Sequence, residues 1–244
     1  MLRSRVQPFV VVFASAVLLM AADSSWRTKP TAQWTEEDAV QLLAKSPWSR
    51  EVRAGVARRE TEDELRDGGR MGQPIGVGYD NVDPKGSGPK FPANPLEIFT
   101  GSDIRSARSM VQAMTLRLRW ETALPVRLAE LKSGEIAPPT IEGEGYRLAV
   151  YGIPNGDFTG DPKKLGDPLK EWAVLKREGK KDVRPVRVEV FHRTDGSAVV
   201  YLFPLSAEIT RQDGHLEFAA HIGRIVVAQV FNLAEMEFLG KLEL

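Results

Sequence analysis

Cysteine is absent from this chain of 244 residues, and its absence excludes several classes of protein. The chain can have no disulfide scaffold, no thiolate nucleophile, no cysteine-ligated zinc and no lipid attached to a cysteine. Excess charge of one sign is also missing, because 33 basic residues balance 33 acidic ones. Such a balance creates no strong global field that would attract DNA, RNA or an anionic membrane. The composition therefore predicts no nucleic-acid partner.

Long apolar runs are absent as well, except for one near the N-terminus. Two arginines precede the mostly apolar segment 9–22, which ends in small residues. This arrangement is typical of a secretory signal peptide, and the run falls short of the roughly 20 apolar residues of a membrane span. We expect cleavage after Ala21 or Ala22, which would leave a soluble protein without a membrane span. An uncleaved anchor is the alternative.

Removal of residues 1–22 also changes the charge. The segment carries two arginines and no acid, so the formal net charge of the remaining chain is −2. An exported protein without cysteine forgoes the disulfides that its compartment permits. Its stability must therefore come from a packed core.

Glycine and proline are concentrated in one part of the chain. Residues 59–67 are nearly all charged, and the sequence from there to residue 95 is rich in glycine and proline. A segment so poor in large apolar side chains cannot offset its ordering entropy by burial. We predict a flexible excursion over 59–95 inside a single domain. An N-terminal helix and strand (23–58) precede it, and the main domain (96–244) follows.

The regions on either side of this excursion show helix and strand patterns. Thr35, with Asp38 three residues later, predicts a capped helix that ends before Pro47. A strand follows over 49–58. Further strands are predicted over 110–122, 146–153, 186–190, 198–203, 215–222, 224–231 and 238–244, and further helices over 123–132, capped by Thr122, and 165–178. Short turns between strands, with segregated helices, predict an α+β fold with a mainly antiparallel sheet and two or three packed helices.

Two segments carry metal-ligand residue types, and neither completes a site. Residues 155–161 match the start of a calcium loop, but Gly166 stands where the bidentate acid is needed, so a polar loop is favoured. His215, Glu217 and His221 share one face of a predicted strand. At ~3.3 Å per residue the two histidines lie roughly 20 Å apart, which is too far for one zinc ion. We therefore expect a solvated row, no metal site and no cofactor.

Catalytic motifs are missing from the sequence. Gly86-Ser87-Gly88 lacks the spacing of a nucleophile elbow. His192 ends a face of alternating valines and is interpreted as a residue at the edge of the core. The many acids offer no pair that one sequence can single out, so catalytic and binding residues remain unknown at this stage.

Aromatic and basic side chains could bind a partner, but each has a structural alternative. The 5 tryptophans could stack on a sugar or a peptide. We expect all except Trp26 to anchor helices on the sheet. Arg117, Arg119 and Arg127 could form a basic patch, although exposed strand charges that discourage edge pairing are the favoured interpretation.

Three segments of the chain resemble a group of uncharacterised exported proteins of acidobacteria-like soil bacteria. They are Trp34–Trp48, Leu118–Arg127 and Phe231–Leu242. Their motifs are a helix cap and stop, a strand-to-helix turn and a closing strand. The resemblance implies a bacterial source and export, and it brings no activity and no site residues.

These observations define the compartment better than the function. We expect an exported, periplasmic or extracellular protein that is a non-enzymatic binding or interaction module of the bacterial cell envelope. Its partner would be a protein or a small ligand. An exported metal-independent hydrolase that uses carboxylates is one alternative, and a structural subunit of an envelope assembly is another.

Overall fold

The structure is a computed structural model that describes residues 25–57, 110–134, 141–155 and 162–244. The predicted signal peptide, the predicted excursion over 59–95 and most of the candidate calcium loop lie outside the described residues.

Eight strands form one antiparallel sheet in the order β4-β7-β8-β1-β2-β3-β6-β5. The strands are β1 (Ser49–Ala57), β2 (Met110–Trp120), β3 (Tyr146–Ile153), β4 (Ala173–Arg177), β5 (Arg187–Phe191), β6 (Ser197–Phe203), β7 (His215–Ile222) and β8 (Ile225–Asn232). The described helices are α1 (Glu36–Ala44), α2 (Leu124–Ser133) and α3 (Pro162–Glu171). The predicted α+β class and the mainly antiparallel sheet are confirmed. None of the helices in the described ranges is long and apolar enough to cross a membrane.

The sheet curls until strands that are distant in its order touch. β6 and β7 are separated by four strands, which would place them roughly 24 Å apart in a flat sheet at ~4.8 Å per strand. Yet the ring centroids of Tyr201 on β6 and Phe218 on β7 lie 5.2 Å apart. The sheet is thus a half-barrel with an aromatic interior.

Helix α3 covers one edge of this half-barrel. A Cβ atom added to Gly166 would lie 2.2 Å from the carbonyl oxygen of Val188 on the edge strand β5. The helix backbone therefore rests directly on the strand, and only glycine permits that approach. This contact shields β5 from pairing with another chain.

The first helix forms as its sequence predicts. Thr35 Oγ1 accepts a hydrogen bond of 3.2 Å from the Asp38 amide, and Asp38 Oδ2 accepts one of 3.0 Å from the Thr35 amide. This reciprocal capping box starts α1, and the helix ends at Ala44, before Pro47. β1 follows directly, so the N-terminal helix and strand are confirmed.

The predicted helix over 165–178 is wrong in its second half. α3 ends at Glu171, and residues 173–177 form β4 instead. Ala173 pairs with Ala220 of β7, and Leu175 pairs with Phe218. These cross-strand contacts with β7 override the local helical pattern.

The second helix differs from its prediction at the N-terminus. Ala123, not Thr122, occupies the N-cap, and the Thr122 hydroxyl accepts a hydrogen bond of 3.0 Å from the Arg147 amide. Leu131 is 83% exposed, while Ala129 is buried. The predicted end of the helix is confirmed, since Gly134 follows with a left-handed φ of 62°.

The predicted last strand over 238–244 is in fact a small hairpin. Two-residue strands β9 (Glu237–Phe238) and β10 (Lys241–Leu242) pair with each other apart from the main sheet. Their turn contains Leu239 and Gly240, both with left-handed φ angles. This turn reaches the surface groove described below.

Candidate functional site

Three tryptophans and one phenylalanine form an aromatic cluster at the end of the sheet where β1 begins and β8 ends. Trp26 lies 5.9 Å from Trp48 and 6.5 Å from Trp34, measured between ring centroids. Phe238 lies 5.8 Å from Trp34 and 6.3 Å from Trp48. Trp26, the one tryptophan that is not expected to anchor a helix on the sheet, also belongs to the packed core, since this cluster leaves it only 3% exposed.

A groove with a volume of about 280 Å³ opens over the aromatic cluster. We call it the tryptophan groove, and its lining residues are Trp26, Arg27, Lys29, Pro30, Thr31, Trp48, Glu235, Glu237, Phe238 and Leu239. Aromatic side chains of the cluster supply apolar surface, and cationic and acidic residues stand around it. The groove joins an N-terminal segment to a C-terminal one that lies about 200 positions later in the chain.

Three of the four charged residues that line the groove have an opposite charge beside them. Lys29 Nζ lies 2.7 Å from Asp38 Oδ2. Glu235 Oε2 lies 2.8 Å from Arg50 Nη2, and Glu237 forms an ion pair with Arg211. These pairs cancel most of the charge at the groove.

Arg27 is the exception. It has no acidic partner among the described residues, and its guanidinium carbon lies 5.0 Å from the centroid of the Trp26 ring. The indole face offers a weak electrostatic attraction to the cation. Within the described ranges, the groove therefore keeps one positive charge without an acidic partner next to its aromatic surface.

Asp38 of the capping box also holds the N-terminal wall of the groove in place. Its carboxylate accepts hydrogen bonds from the Lys29 ammonium and the Ser25 hydroxyl in addition to the Thr35 amide. These bonds, first the one from Lys29, hold the pKa of Asp38 well below its usual range. The segment before α1 is thus tied to the helix by a permanent negative charge.

Leu239 is an unusual residue beside the groove. Its side chain is 77% exposed, and its φ of 50° is in the left-handed region. That region is costly for leucine and easy for glycine or asparagine. Neither burial nor backbone geometry accounts for a leucine at this position.

A second polar cluster, which we call the Arg119 cluster, is largely buried. The Arg119 side chain is 5% exposed, with its Nε 2.8 Å from Glu121 Oε1 and its Nη2 3.2 Å from Glu130 Oε1. Tyr151 donates a hydrogen bond of 2.6 Å to the same Glu121 oxygen. The interpretation of Arg119 as an exposed strand charge is wrong, because α2 and the turn before it bring two carboxylates over it.

The protonation states in the Arg119 cluster are strongly held. Burial alone would lower the pKa of Arg119, but Glu121, Tyr151 and Glu130 outweigh it and raise that pKa. Burial, reinforced by Glu121, raises the pKa of Tyr151. Arg119 therefore stays charged and Tyr151 stays neutral, so neither exchanges protons readily near neutral pH.

Ser197, His192 and Asn155 form a third constellation, at the turn between β5 and β6. His192 Nδ1 lies 2.9 Å from Ser197 Oγ, and the serine hydroxyl donates a hydrogen bond of 2.6 Å to Asn155 Oδ1. A nucleophilic serine would have to donate its proton to the histidine. Ser197 is also fully buried, so this arrangement ties the hairpin to β3. His192 is exposed, and its predicted place at the edge of the core is wrong.

The histidines of β7 lie on one face of the strand, as predicted. His215 is exposed, but His221 is half-buried, since the Trp172 ring lies 6.1 Å away between centroids. Burial lowers the pKa of His221 to about 4. In the part of the chain that the structure describes, no group of three or more His, Asp or Glu residues is placed to hold a metal ion.

Local sequence signals could not have located the tryptophan groove. Its lining residues belong to separate patterns, each of which is explained by a cap, a turn or a strand. The one local irregularity among them is Leu239, an apolar residue that stands before Gly240 in a turn, where a polar residue or glycine is usual. No family model, curated protein or solved structure matches the chain.

Proposed function

We propose that the protein is an exported binding module of the bacterial cell envelope that holds an apolar part of a partner in the tryptophan groove. One observation carries the proposal, which is a concave aromatic surface with a single unmatched charge at an otherwise neutral site. Ligand sites combine apolar surface with a few polar groups in the same way. The volume suits one or two residues or a small molecule rather than a folded domain.

Leu239 supports this proposal independently of the groove's shape. A protein selected for stability alone would place glycine or asparagine in that turn. An exposed leucine in a left-handed conformation costs free energy, and such outliers concentrate where side chains contact ligands. Leu239 would add apolar contact area to the bound partner.

Binding can be tested by calorimetry on residues 23–244 with the tripeptide acetyl-Ala-Ala-Leu, in both its acid and its amide form. Thr31→Phe places a large side chain in the groove, and we expect it to weaken binding of either form at least tenfold. Thr194→Phe is the matched control, because Thr194 lies in the exposed turn between β5 and β6. Equal affinities for the two variants, or no binding by the unsubstituted protein, would remove the groove as the binding site.

Export is the second part of the proposal and has its own test. Expression of the full chain in a bacterium, followed by N-terminal sequencing of the protein from the periplasm or medium, should find a new N-terminus at Ala22 or Asp23. A chain that keeps Met1 and stays with the membrane would indicate an uncleaved anchor instead.

A carboxylate-dependent hydrolase is the alternative, and the Arg119 cluster is the observation that favours it. Glu121 and Glu130 contact the same guanidinium, so two carboxylates from different elements do meet. Their side chains are only 4% and 11% exposed, which leaves little room for a substrate. Hydrolysis of ester, glycoside or peptide substrates that disappears in Glu130→Gln, while the variant stays folded, would favour the enzyme over the binding module.

A further inference from the structure

We infer that the tryptophan groove recognises the free C-terminal carboxylate of a peptide chain that ends in an apolar residue. The inference rests on the proposed binding function and names the ligand class for the same site. Three features of the groove support the inference. They are its hydrogen-bond donors without an acceptor, the apolar surface next to these donors, and the net charge of the residues around them.

Two hydrogen-bond donors at the groove lack an acceptor among the described residues. One is the Arg27 guanidinium, which contacts the Trp26 ring and no carboxylate. The other is the indole N–H of Trp26, which is buried without a hydrogen-bond partner. A buried donor without an acceptor costs free energy, whereas the neighbouring Trp34 and Trp48 indoles each donate to a backbone carbonyl. A bound carboxylate would supply the missing acceptor to the exposed Arg27 guanidinium directly, and to the Trp26 indole N–H once the ring shifts to expose that buried atom to the groove.

The charge of the groove also favours a single anion. The acids Glu235 and Glu237 are each neutralised by an arginine outside the groove. Lys29 is committed to Asp38. The remaining positive charge belongs to Arg27, so a ligand with one negative charge would make the site neutral.

The surface next to Arg27 indicates what the carboxylate should be attached to. Trp26, Trp48, Phe238 and Leu239 offer apolar contacts for one side chain. Half of the lining residues are polar, and Thr31 is among them. Polar side chains can bond to the amide groups of a peptide but would have no partner along the hydrocarbon of a fatty acid. A peptide end therefore fits the groove better than a lipid.

The experiment compares one peptide with a free and a blocked C-terminus. Calorimetry measures the affinities of acetyl-Ala-Ala-Leu and of its C-terminal amide for residues 23–244. We expect the acid to bind at least tenfold more tightly, because a hydrogen bond to a charged group adds about that factor. The indole Hε1 resonance of Trp26, assigned by its loss in Trp26→Phe, should shift with the acid and less with the amide.

Variants assign the discrimination to individual donors. Arg27→Gln should bind the acid and the amide equally, at the affinity that the unsubstituted protein has for the amide. Arg53→Gln is the matched control, since Arg53 is an exposed arginine on β1 outside the groove and should keep the full preference. Trp26→Phe keeps an aromatic ring and removes the N–H, so it should weaken the acid several-fold and leave the amide unchanged.

Each other result overturns the inference in a recognisable way. Equal binding of acid and amide by the unsubstituted protein, lost in Thr31→Phe, refutes carboxylate recognition and leaves the binding function standing. If neither the peptides nor octanoate bind, both the carboxylate recognition and the binding function are refuted. Octanoate that binds through Arg27 while the peptides do not would assign the site to fatty acids instead of peptide ends.

Discussion

The tryptophan groove and the Arg119 cluster both place arginine beside an aromatic ring, but only one of them is open. Arg27 lies 5.0 Å from the Trp26 centroid and has no acidic partner among the described residues, whereas Arg119 lies 4.7 Å from the Tyr151 centroid and contacts two carboxylates. An arginine beside an aromatic ring is thus found at the surface in the groove and in a largely buried position in the cluster. The two arginines differ in their solvent accessibility and in the charges around them, although each contacts an aromatic ring in a similar way.

This difference indicates two uses of the same side chains. A buried charge is tolerable only when it is paired, so every member of the Arg119 cluster is needed for the stability of the others. An exposed charge without a partner costs little free energy, so Arg27 can lack an acidic partner in the described structure and remain available to a ligand. Substitutions should therefore affect folding at the cluster and binding at the groove.

Loss of the guanidinium separates the two regions most strongly. Arg119→Met should lower the free energy of unfolding by about 3–5 kcal/mol, since it leaves Glu121 and Glu130 buried without a cation. Arg27→Met should change it by less than about 0.5 kcal/mol. Urea unfolding followed by circular dichroism measures both. Equal losses of stability in the two variants would mean that Glu121 and Glu130 do not depend on Arg119 to compensate their burial.

The coupling within the Arg119 cluster can be tested further by removing one positive and one negative charge together. Adding Glu121→Gln to Arg119→Met should recover part of the loss, because one fewer carboxylate is then left unpaired. Independent, additive effects of the two substitutions would contradict a shared network.

Acid should destabilise the sheet through His221 rather than through an exposed histidine. Burial lowers the pKa of His221 to about 4, below the unfolded value near 6.5, so the folded state favours the neutral ring. The stabilisation is complete above about pH 6.5 and is lost as the pH falls toward 4, by about 2–3 kcal/mol.

Histidine variants assign this pH dependence. Unfolding free energies measured from pH 7 to pH 4 should fall less steeply for His221→Gln than for the unsubstituted protein. His215→Gln is the control, because His215 is exposed on the same face of β7. An unchanged slope in His221→Gln would show that other groups cause the acid sensitivity.

One substitution, Tyr to Phe, should change the stability in opposite directions at the half-buried Tyr151 and at the buried Tyr201. Tyr151→Phe removes hydrogen bonds to Glu121 and Arg119 and should destabilise by about 1.5–3 kcal/mol. The Tyr201 hydroxyl is buried inside the half-barrel without a partner among the described residues. Tyr201→Phe should therefore stabilise the protein by about 1 kcal/mol. Thermal unfolding of both variants checks the signs, and a loss of stability in Tyr201→Phe would reveal an acceptor for its hydroxyl.

The smallest expected effect concerns Leu239 at the groove. Leu239→Asn suits the left-handed backbone and should raise the unfolding free energy by a few tenths of a kcal/mol. The same variant should weaken binding of acetyl-Ala-Ala-Leu several-fold, since it removes apolar contact area. A variant that loses stability and keeps its affinity would show that Leu239 serves the fold.

The strands were the most predictable part of the fold. Strands are predicted over 215–222 and 224–231 from the local pattern on either side of Gly223, and in the structure these two segments are β7 and β8, which pair with each other. The chain after Glu171 was not predictable from its own residues. Its helical spacing is locally sound, but pairing of Ala173 and Leu175 with β7 makes it a strand.

The candidate site was less predictable than the fold. Trp26 and Phe238 are more than 200 positions apart, and no spacing rule connects them. Glu130 gave no sign that it would meet Arg119, because each residue alone resembles an ordinary surface charge. Sites assembled from distant segments leave no periodic pattern in the chain.

The sequence by itself excludes disulfides, because it has no cysteine. It also shows the capping box at Thr35, the alternation of the strands and the glycines of the turns, because each of these is a pattern of neighbouring residues. These features act over a few positions, and they specify the class of fold before any tertiary contact forms. The exposure of Arg27 and the burial of Arg119 do not follow from such features. Both are arginines next to a tryptophan in the chain, and their accessibility depends on which distant surfaces fold over them. The environment of a charge depends on how the whole molecule packs. For that reason only the tertiary structure distinguishes the exposed Arg27 of the groove from the buried Arg119 of the cluster.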